Sequence, residues 1–412
     1  MRCPDVRGKR SRHPRPSRRI PLNIVFISPN FPPQYQLFCS ALRERGVNVL
    51  GIGDAPFHDL HPDLRSALTD YVHVPRMEHY PDMLRAVGYL TWRHGRIDRI
   101  DSLNEHWLPV DARLREDFNV FGLRPAQTER LRRKSGMAEI FRAAGIPAPD
   151  LEPVANPLQV RSFVSRVGLP VVFKPDIGVG AAGAFKVATE AQLEAALALP
   201  LDGLVVQRFS PGQITTYDGV TDADGTILFE SSLVYGAGTL ELLTEALDVA
   251  YWTRRDLPPQ LSELGRRIVA AFGLRERFFH VELFEQPDGS LSALEVNIRP
   301  PGGFTTDMMN WSCDTDVYRL WAAAVTGGVL EGFEYEHRYF CAHLARRRHR
   351  PYRLSHDELV RALGPALLVF RELPPPISGV MGEQVYLVRY SELADLEKAV
   401  RLVGESPLPG GV

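Results

Sequence analysis

Lysine is nearly missing from this chain of 412 residues. Of its 48 basic residues only Lys9, Lys134, Lys174, Lys186 and Lys398 are lysine, and the rest are arginine. Where arginine has displaced lysine this far, each remaining lysine is a candidate for chemistry that needs a compact ammonium. Cysteine is scarce too. Cys3, Cys39, Cys313 and Cys341 are scattered, with no C-x-x-C pair and no clustered histidine. That excludes a disulfide framework and a zinc site, and makes a reducing cytosol the simplest setting. No apolar run approaches the roughly 18 residues of a membrane-spanning helix, so no bilayer crossing is expected. A net charge of −2 gives no global field that would gather nucleic acid. What is present is ordinary for a folded protein, 44% apolar and 24% charged. At this length one core is not enough, and two to four domains are expected.

The first twenty residues read differently. Arg2, Arg7, Lys9, Arg10, Arg12, Arg15, Arg18 and Arg19 face only Asp5, with prolines between them, which describes a disordered basic tail over 1–20. Ser17-Arg18-Arg19 ahead of Ile24 to Ile27 has the flavour of a twin-arginine signal. The apolar stretch ends at Ser28-Pro29, however, short of the roughly 7 to 15 residues an export signal requires.

Beyond the tail, strands alternate with helices. Leu22 to Ser28, Val47 to Ile52, Tyr71 to Val74 and Ile97 to Leu103 are apolar strands, separated by helical patterns around Gln34 to Arg45 and Met83 to Trp92 and followed by one around Val110 to Phe118. Strand, helix, strand predicts a small doubly wound parallel α/β domain over 21–125. Gly51-Ile52-Gly53 lacks the third glycine of a dinucleotide fingerprint and reads as a turn. A helix is expected over Thr128 to Ala144, stopped by Gly145-Ile146-Pro147. From Pro170 the texture becomes α+β, with hairpin turns at Asp224-Gly225 and Asp288-Gly289 and one helix over Leu261 to Phe272. This predicts a two-lobed α+β domain over 126–330, with lobes 126–200 and 201–330, and then a separate small α+β lobe over 331–412.

The most informative segment is Phe278-Phe279-His280-Val281-Glu282-Leu283-Phe284, a turn through Pro287-Asp288-Gly289-Ser290, and Ala293-Leu294-Glu295-Val296-Asn297-Ile298-Arg299. Folded as a hairpin centred between Asp288 and Gly289, it sets Glu282 opposite Glu295, His280 opposite Asn297 and Phe278 opposite Arg299, all on one face. Phe279, Val281, Leu283, Leu294, Val296 and Ile298 make the other face apolar and pin the register. Two carboxylates directly opposed repel, so something positive belongs between them. A hard divalent cation fits, because Mg²⁺ takes one or two carboxylates and completes its shell with phosphate oxygens and water; Asn297 adds a further oxygen. The alternative is a solvated polar face neutralised by Arg299.

A second motif lies upstream. Val171-Val172-Phe173-Lys174-Pro175 is a strand leading into Gly178-Val179-Gly180-Ala181-Ala182-Gly183, and Ala184 to Ala188 returns as another strand. No helix starts inside the loop, so this is a strand-to-strand flap whose backbone N–H groups can approach phosphate, with Lys174 at its root. Gly203 to Phe209 reads as a strand, and Ser210-Pro211-Gly212 as a hinge. Val205, Val206, Gln207 and Phe209 have the character of an adenine slot.

Together these features resemble the ATP-grasp superfamily, and within it the carboxylate-amine ligases. The order matches over about residues 21–330: Lys134 with Gly145-Ile146-Pro147, Lys174 with its flap, Gln207-Arg208-Phe209 with Gly212, then Glu282 and Glu295-Val296-Asn297-Ile298-Arg299. The resemblance implies ATP and Mg²⁺ (or Mn²⁺) as cofactors. Lys134, Lys174 and flap glycines Gly178, Gly180 and Gly183 would lie on the phosphates, and Gln207, Arg208 and Phe209 on the adenine. Glu282, Glu295 and Asn297 would hold the metal, and Arg299 with Lys174 would be catalytic. Arg208 stands where many members carry an acid, and no Glu follows Gly212 at the usual place. The implied reaction joins a small-molecule carboxylate to an amine through an acyl phosphate in the cytoplasm. A biotin-type carboxylase, a small-molecule kinase and a non-catalytic ATP-binding regulator remain alternatives. The substrate is expected between Asn30 to Gln34, Asn104-Glu105 and the Arg299 to Gly303 loop.

Overall fold

The computed structural model describes residues 21–178, 183–236, 248–328 and 330–406, so the basic tail and Gly180 of the flap lie outside the described residues. Four parallel strands open the chain: β1 (Asn23–Ile27), β2 (Asn48–Gly53), β3 (Asp70–His73) and β4 (Arg99–Asp101), in the order β3-β2-β1-β4. Every residue of β1 is buried. Its alternation explains why: Ile24 and Phe26 enter one core with Phe38 and Leu42 of the helix Gln36–Glu44, while Val25 and Ile27 enter another with Met83, Val87 and Leu90 of the helix Tyr80–His94. Helices therefore cover both faces, as the apolar strand runs predict.

The helix expected over Thr128 to Ala144 is two, Pro125–Arg132 and Lys134–Ala143, broken at Arg133, whose backbone is extended. Asp176 supplies the reason. It accepts from the backbone N–H of Ser135 (2.8 Å) and from the Ser135 hydroxyl (2.9 Å), and its own carbonyl takes the Lys134 N–H at 2.9 Å. The second helix is thus capped by a residue from a different element, which no local pattern reveals. Gly136 is required here, because a Cβ would sit 2.2 Å from the Arg130 carbonyl oxygen across the break.

Next come β5 (Leu151–Val154), β6 (Val171–Pro175), β7 (Phe185–Val187) and β8 (Leu204–Arg208), an antiparallel sheet ordered β5-β8-β6-β7. Since β8 belongs to this sheet, the change of lobe comes after Arg208, not at residue 200. The helices Pro157–Val167 and Glu190–Leu197 cover one face, packing Val160, Phe163 and Leu193 on Phe173 and Val206, while Lys174, Val205 and Gln207 lie buried on the other face.

The largest sheet collects β9 (Gln213–Thr221), β10 (Ile227–Ser231), β11 (Leu233–Tyr235), β12 (Ala250–Thr253), β13 (Phe278–Glu285), β14 (Leu291–Asn297), β15 (Phe340–Arg346), β16 (Leu367–Glu372) and β17 (Gln384–Tyr390). Its order is β14-β13-β9-β11-β12-β15-β17-β16, with β10 beside β9. The residues expected to form a separate terminal lobe instead continue this sheet, through the antiparallel pairing of β12 with β15. They do have their own core, where Leu359, Leu396 and Val403 of two helices pack on Leu344 and Tyr386. The hydrophobic pattern announces that core, but not the neighbour across the β12–β15 seam.

The first domain is joined to the large sheet by aromatic and ionic contacts. Phe38 stands at ring-centroid distances of 5.7 Å from Phe278 of β13 and 5.2 Å from Trp321 of the helix Val317–Val325. Arg99 pairs with Glu276 at 2.5 Å, and Arg115 reaches Asp101 at 3.3 Å. Within this network Asp111 is fully buried, accepting from the Ser102 N–H (3.1 Å) and hydroxyl (2.6 Å), with Arg115 at 4.0 Å. Burial pushes its carboxyl up to about 7, against the pull of Arg115. The folded chain therefore holds this proton more tightly than an unfolded aspartate, which titrates at about 3.9. The linked stability is fully present below about pH 4 and is lost as the pH rises towards 7. Asp111→Asn keeps the Ser102 contacts without the charge. From about pH 4 to 7 the melting temperature of the wild type should therefore fall relative to the variant. Parallel melting curves against pH would refute this assignment.

Candidate active site

Three neighbouring strands, β14, β13 and β9, place polar residues in a grid. Glu295, Glu282 and Thr216 stand side by side in register, and next to them Asn297, His280 and Asp218. The alternate residues Phe279, Val281, Leu283, Val296 and Ile298 face the core beneath, packed on the helix Pro259–Phe272. The opposition of Glu282 and Glu295 is the expected one, but the hairpin is not uniform. The register shifts by one beyond Glu282, so Leu283 opposes Ala293. The cause is a turn centred on Asp288, where Gln286 and Ser290 share a backbone hydrogen bond of 2.9 Å. Ala293 rather than Leu294 therefore occupies the apolar face, giving its N–H to the Pro147 carbonyl at 2.7 Å. Phe278 does not face Arg299, because β14 ends at Asn297 and Phe278 packs on Phe38.

Cations converge on the acid pair. Lys134 Nζ lies 3.8 Å from Glu295 Oε2 and donates to the Gly178 carbonyl at 3.0 Å, tying the head of its helix to the root of the flap. Lys174 is buried in the middle of β6; burial pulls its ammonium down to about 8, while Glu295 pulls it back. Burial pushes Glu295 above its ordinary range, more than Lys134 can offset. For Glu282 burial acts in the same direction, but His280, with Arg299 and Lys174 adding to it, outweighs burial and holds the carboxyl below its usual value. His280 donates from Nδ1 to Asp218 Oδ1 (2.6 Å), and its Nε2 stands 3.2 Å from Glu282 Oε1 as an ion pair. Burial opposes its charge, yet the two carboxylates raise it to about 9. Arg299 sits at the rim, donating to the Pro300 carbonyl at 2.8 Å, with Asn297 Oδ1 at 3.5 Å and Glu105 at 3.7 Å.

The second face of the small sheet borders this group. Val172 opposes both Gln207 and Lys186, and Lys174 opposes Val205, so these side chains share the face away from the covering helices. Three of the rare lysines, at 134, 174 and 186, thus gather around one cleft. Lys186, a candidate through lysine scarcity alone, lies 3.7 Å over the Phe209 ring. Gly183 has φ 75°, and a Cβ there would meet Pro175 at 3.3 Å, which explains a glycine at the return of the flap. Arg208 is a correction: it alternates to the other face, is half exposed and pairs with Asp150 at 3.0 Å, so its side chain does not enter the cleft.

The remaining wall comes from the first domain. Gln34 donates to the Gly303 carbonyl, and Glu105 bridges Arg132 (2.8 Å) and Arg299. Ser28 and Leu103, just past β1 and β4, both hold φ of 54°. Such strained non-glycine backbone at strand ends is a mark of ligand sites. Asp176, Asp218, Thr216 and Arg132 were not singled out in the sequence. Their roles depend on partners 27 to 62 residues away in the chain (Thr216 excepted, which works through Asp218), and no short-range signal carries them.

Solved structures share this fold along nearly the whole chain. The L-amino acid ligase from Bacillus licheniformis aligns with TM-score 0.72 and 18% identity, over 93% of this chain and 97% of that one. The chain has the ATP-grasp fold. Phosphoribosylglycinamide synthetase from Anaerococcus prevotii is also similar to it (TM-score 0.68, 11% identity, 93% and 97% covered). So is N5-carboxyaminoimidazole ribonucleotide synthetase from Thermus thermophilus (TM-score 0.67, 17% identity, 94% and 100% covered). No protein-family model matches. Among curated proteins, the uncharacterized protein y4rH of Sinorhizobium fredii is 26% identical over 133 residues, 30% of this chain and 28% of that protein.

The cleft suits a divalent cation by its donor set. Among the described residues no group of three or more His, Cys, Asp or Glu could hold a metal by itself. Two carboxylates and an amide oxygen are instead what a phosphate-bound Mg²⁺ asks of a protein, because the ion keeps most of its shell for phosphate and water. Also among the described residues, no helix is long and apolar enough to cross a membrane.

Proposed function

We propose that this chain is an ATP-dependent carboxylate-amine ligase that acts in the cytoplasm on small molecules, with free α-amino acids as its substrate class. The observation that carries the reading is the opposition of Glu282 and Glu295 in a cleft that also receives Lys134, Lys174 and Arg299. It is supported by the likeness to the L-amino acid ligase, and by N5-carboxyaminoimidazole synthetase from Staphylococcus aureus complexed with ADP, which has the same fold. Three buried free cysteines, Cys39, Cys313 and Cys341, agree with a reducing compartment.

A carboxylate oxygen of the first substrate attacks the γ-phosphorus of ATP, the bond to the β-phosphate oxygen breaks, and ADP leaves. The amine nitrogen then attacks the acyl carbon, the bond to the phosphate oxygen breaks, and phosphate departs as the nitrogen gives up its proton. Little covalent chemistry falls to the protein, so its residues act by positioning and charge. Lys134 and Lys174 would bind phosphate oxygens. Arg299 would offset the charge spread over the transferring phosphoryl group, held in aim by Glu105. Gln207 and Phe209 would line the adenine slot, and Gly178 and Gly183 let the flap exclude water. Mg²⁺ held by Glu282, Glu295 and Asn297 would supply Lewis-acid neutralisation of the phosphates when bound.

The test is a screen of paired amino acids with ATP and Mg²⁺. ADP release should require both a carboxylate and an amine donor, with amide product in equal amount. Release that depends on bicarbonate, or on a hydroxyl substrate with no amine, would replace this reading with a carboxylase or a kinase.

A further inference from the structure

A buried chain of hydrogen bonds leads through an ion pair to Glu282. The Leu233 backbone N–H donates to Thr216 Oγ1 (2.8 Å), Thr216 donates to Asp218 Oδ2 (2.5 Å), and Asp218 Oδ1 accepts from His280 Nδ1 (2.6 Å). His280 Nε2 then meets Glu282 Oε1 at 3.2 Å. Thr216 and Asp218 are fully buried and His280 is 4% exposed, so water cannot substitute for the contacts among these three, while Glu282 at the end of the chain is partly open to the cleft. Such a charged pair in the middle of a sheet is not a stability device, since apolar residues of similar volume are often as stable or more so. Among the described residues it has no contact with the cleft lysines, and its link to the cleft is the carboxylate that the proposed function assigns to the metal.

We propose that Asp218 and His280 are positioning residues that fix the rotamer of Glu282 for the divalent cation, Asp218 orienting the imidazole and Nε2 holding one carboxylate oxygen so that the other faces the cleft. The inference rests on the proposed function in that Glu282 is taken as a metal ligand. Two strands carry the device: on β13, His280 and Glu282 project to the same face two residues apart, and on β9, Asp218 is the register partner of His280. Partners behind a metal ligand typically contribute about 10- to 100-fold in metal affinity.

The test is Mn²⁺ binding to the full chain in the presence of ADP, read from the free-ion electron paramagnetic resonance signal, alongside ADP affinity without metal. Glu282→Gln tests the underlying reading and should abolish tight Mn²⁺ binding; unchanged binding there would sink the metal site itself. His280→Asn keeps a donor for Asp218 but cannot reach Glu282, and should weaken Mn²⁺ by about 10- to 100-fold with metal-free ADP affinity unchanged. His280→Gln restores a donor near the Nε2 position but leaves Asp218 a buried acid with only the Thr216 hydroxyl and no cation beside it, so it is combined with Asp218→Asn to protect folding. That double variant should recover Mn²⁺ affinity to within about fivefold of the wild type. If Glu282→Gln loses the metal while His280→Asn binds it normally, the positioning role is overturned and the metal site stands. Equal losses in His280→Asn and in the double variant, or a parallel loss of metal-free ADP binding, would show packing rather than positioning and overturn it too.

Discussion

Glu295→Gln should lower amine-dependent ADP release by about 10³-fold, since a metal's neutralisation of phosphoryl charge amounts to several kcal/mol and each tenfold in rate takes about 1.4 kcal/mol. The substitution is nearly isosteric and removes one charge. It should leave the hairpin intact, because register is held by Val281, Val296 and Ile298 on the opposite face and not by the acids. It also relieves the repulsion between directly opposed carboxylates, so a melting temperature equal to or above that of the wild type should accompany the loss. The measurement is steady-state ADP release with Mg²⁺ in excess. Activity undiminished in a folded variant would remove Glu295 from the metal site and with it the proposed chemistry.

Lys174→Met should lower kcat/KM by about 10²- to 10³-fold, the usual cost of deleting one preorganised charge at a developing anion. Lys174→Arg should fail to restore it. The side chain lies buried within the small sheet, and a planar guanidinium cannot take the place of a point ammonium there. Lys398 provides the control: it is exposed and pairs with Asp395 at 2.8 Å on its own helix, so Lys398→Met should behave as wild type. Equal rates for Lys174→Met and Lys398→Met would show that the scarcity of lysine carries no functional information.

The elements that the sequence announces clearly are those whose burial is two-sided or strictly alternating. In β1 the run Ile24-Val25-Phe26-Ile27 has no polar residue, and only a sheet covered on both faces accommodates it. In β13 the alternation of Phe279, Val281 and Leu283 with His280 and Glu282 leaves one way to lay the strand on a core. The break at Arg133, by contrast, is imposed by Asp176, and the passage of the large sheet into β15, β17 and β16 by backbone pairing, which leaves no mark in side-chain pattern.

By itself the sequence determined the parallel first domain, the flap between two strands, and the acids at 282 and 295 facing one another, because hydrophobic period and turn chemistry act over a few residues. Tertiary structure alone decided that Leu294 yields its place to Ala293, that Arg208 turns outward to Asp150, and that Asp218 stands behind His280. Those outcomes depend on which strand lies alongside, and the energy of a hydrogen bond or an ion pair is set by distance in space, which sequence separation does not encode.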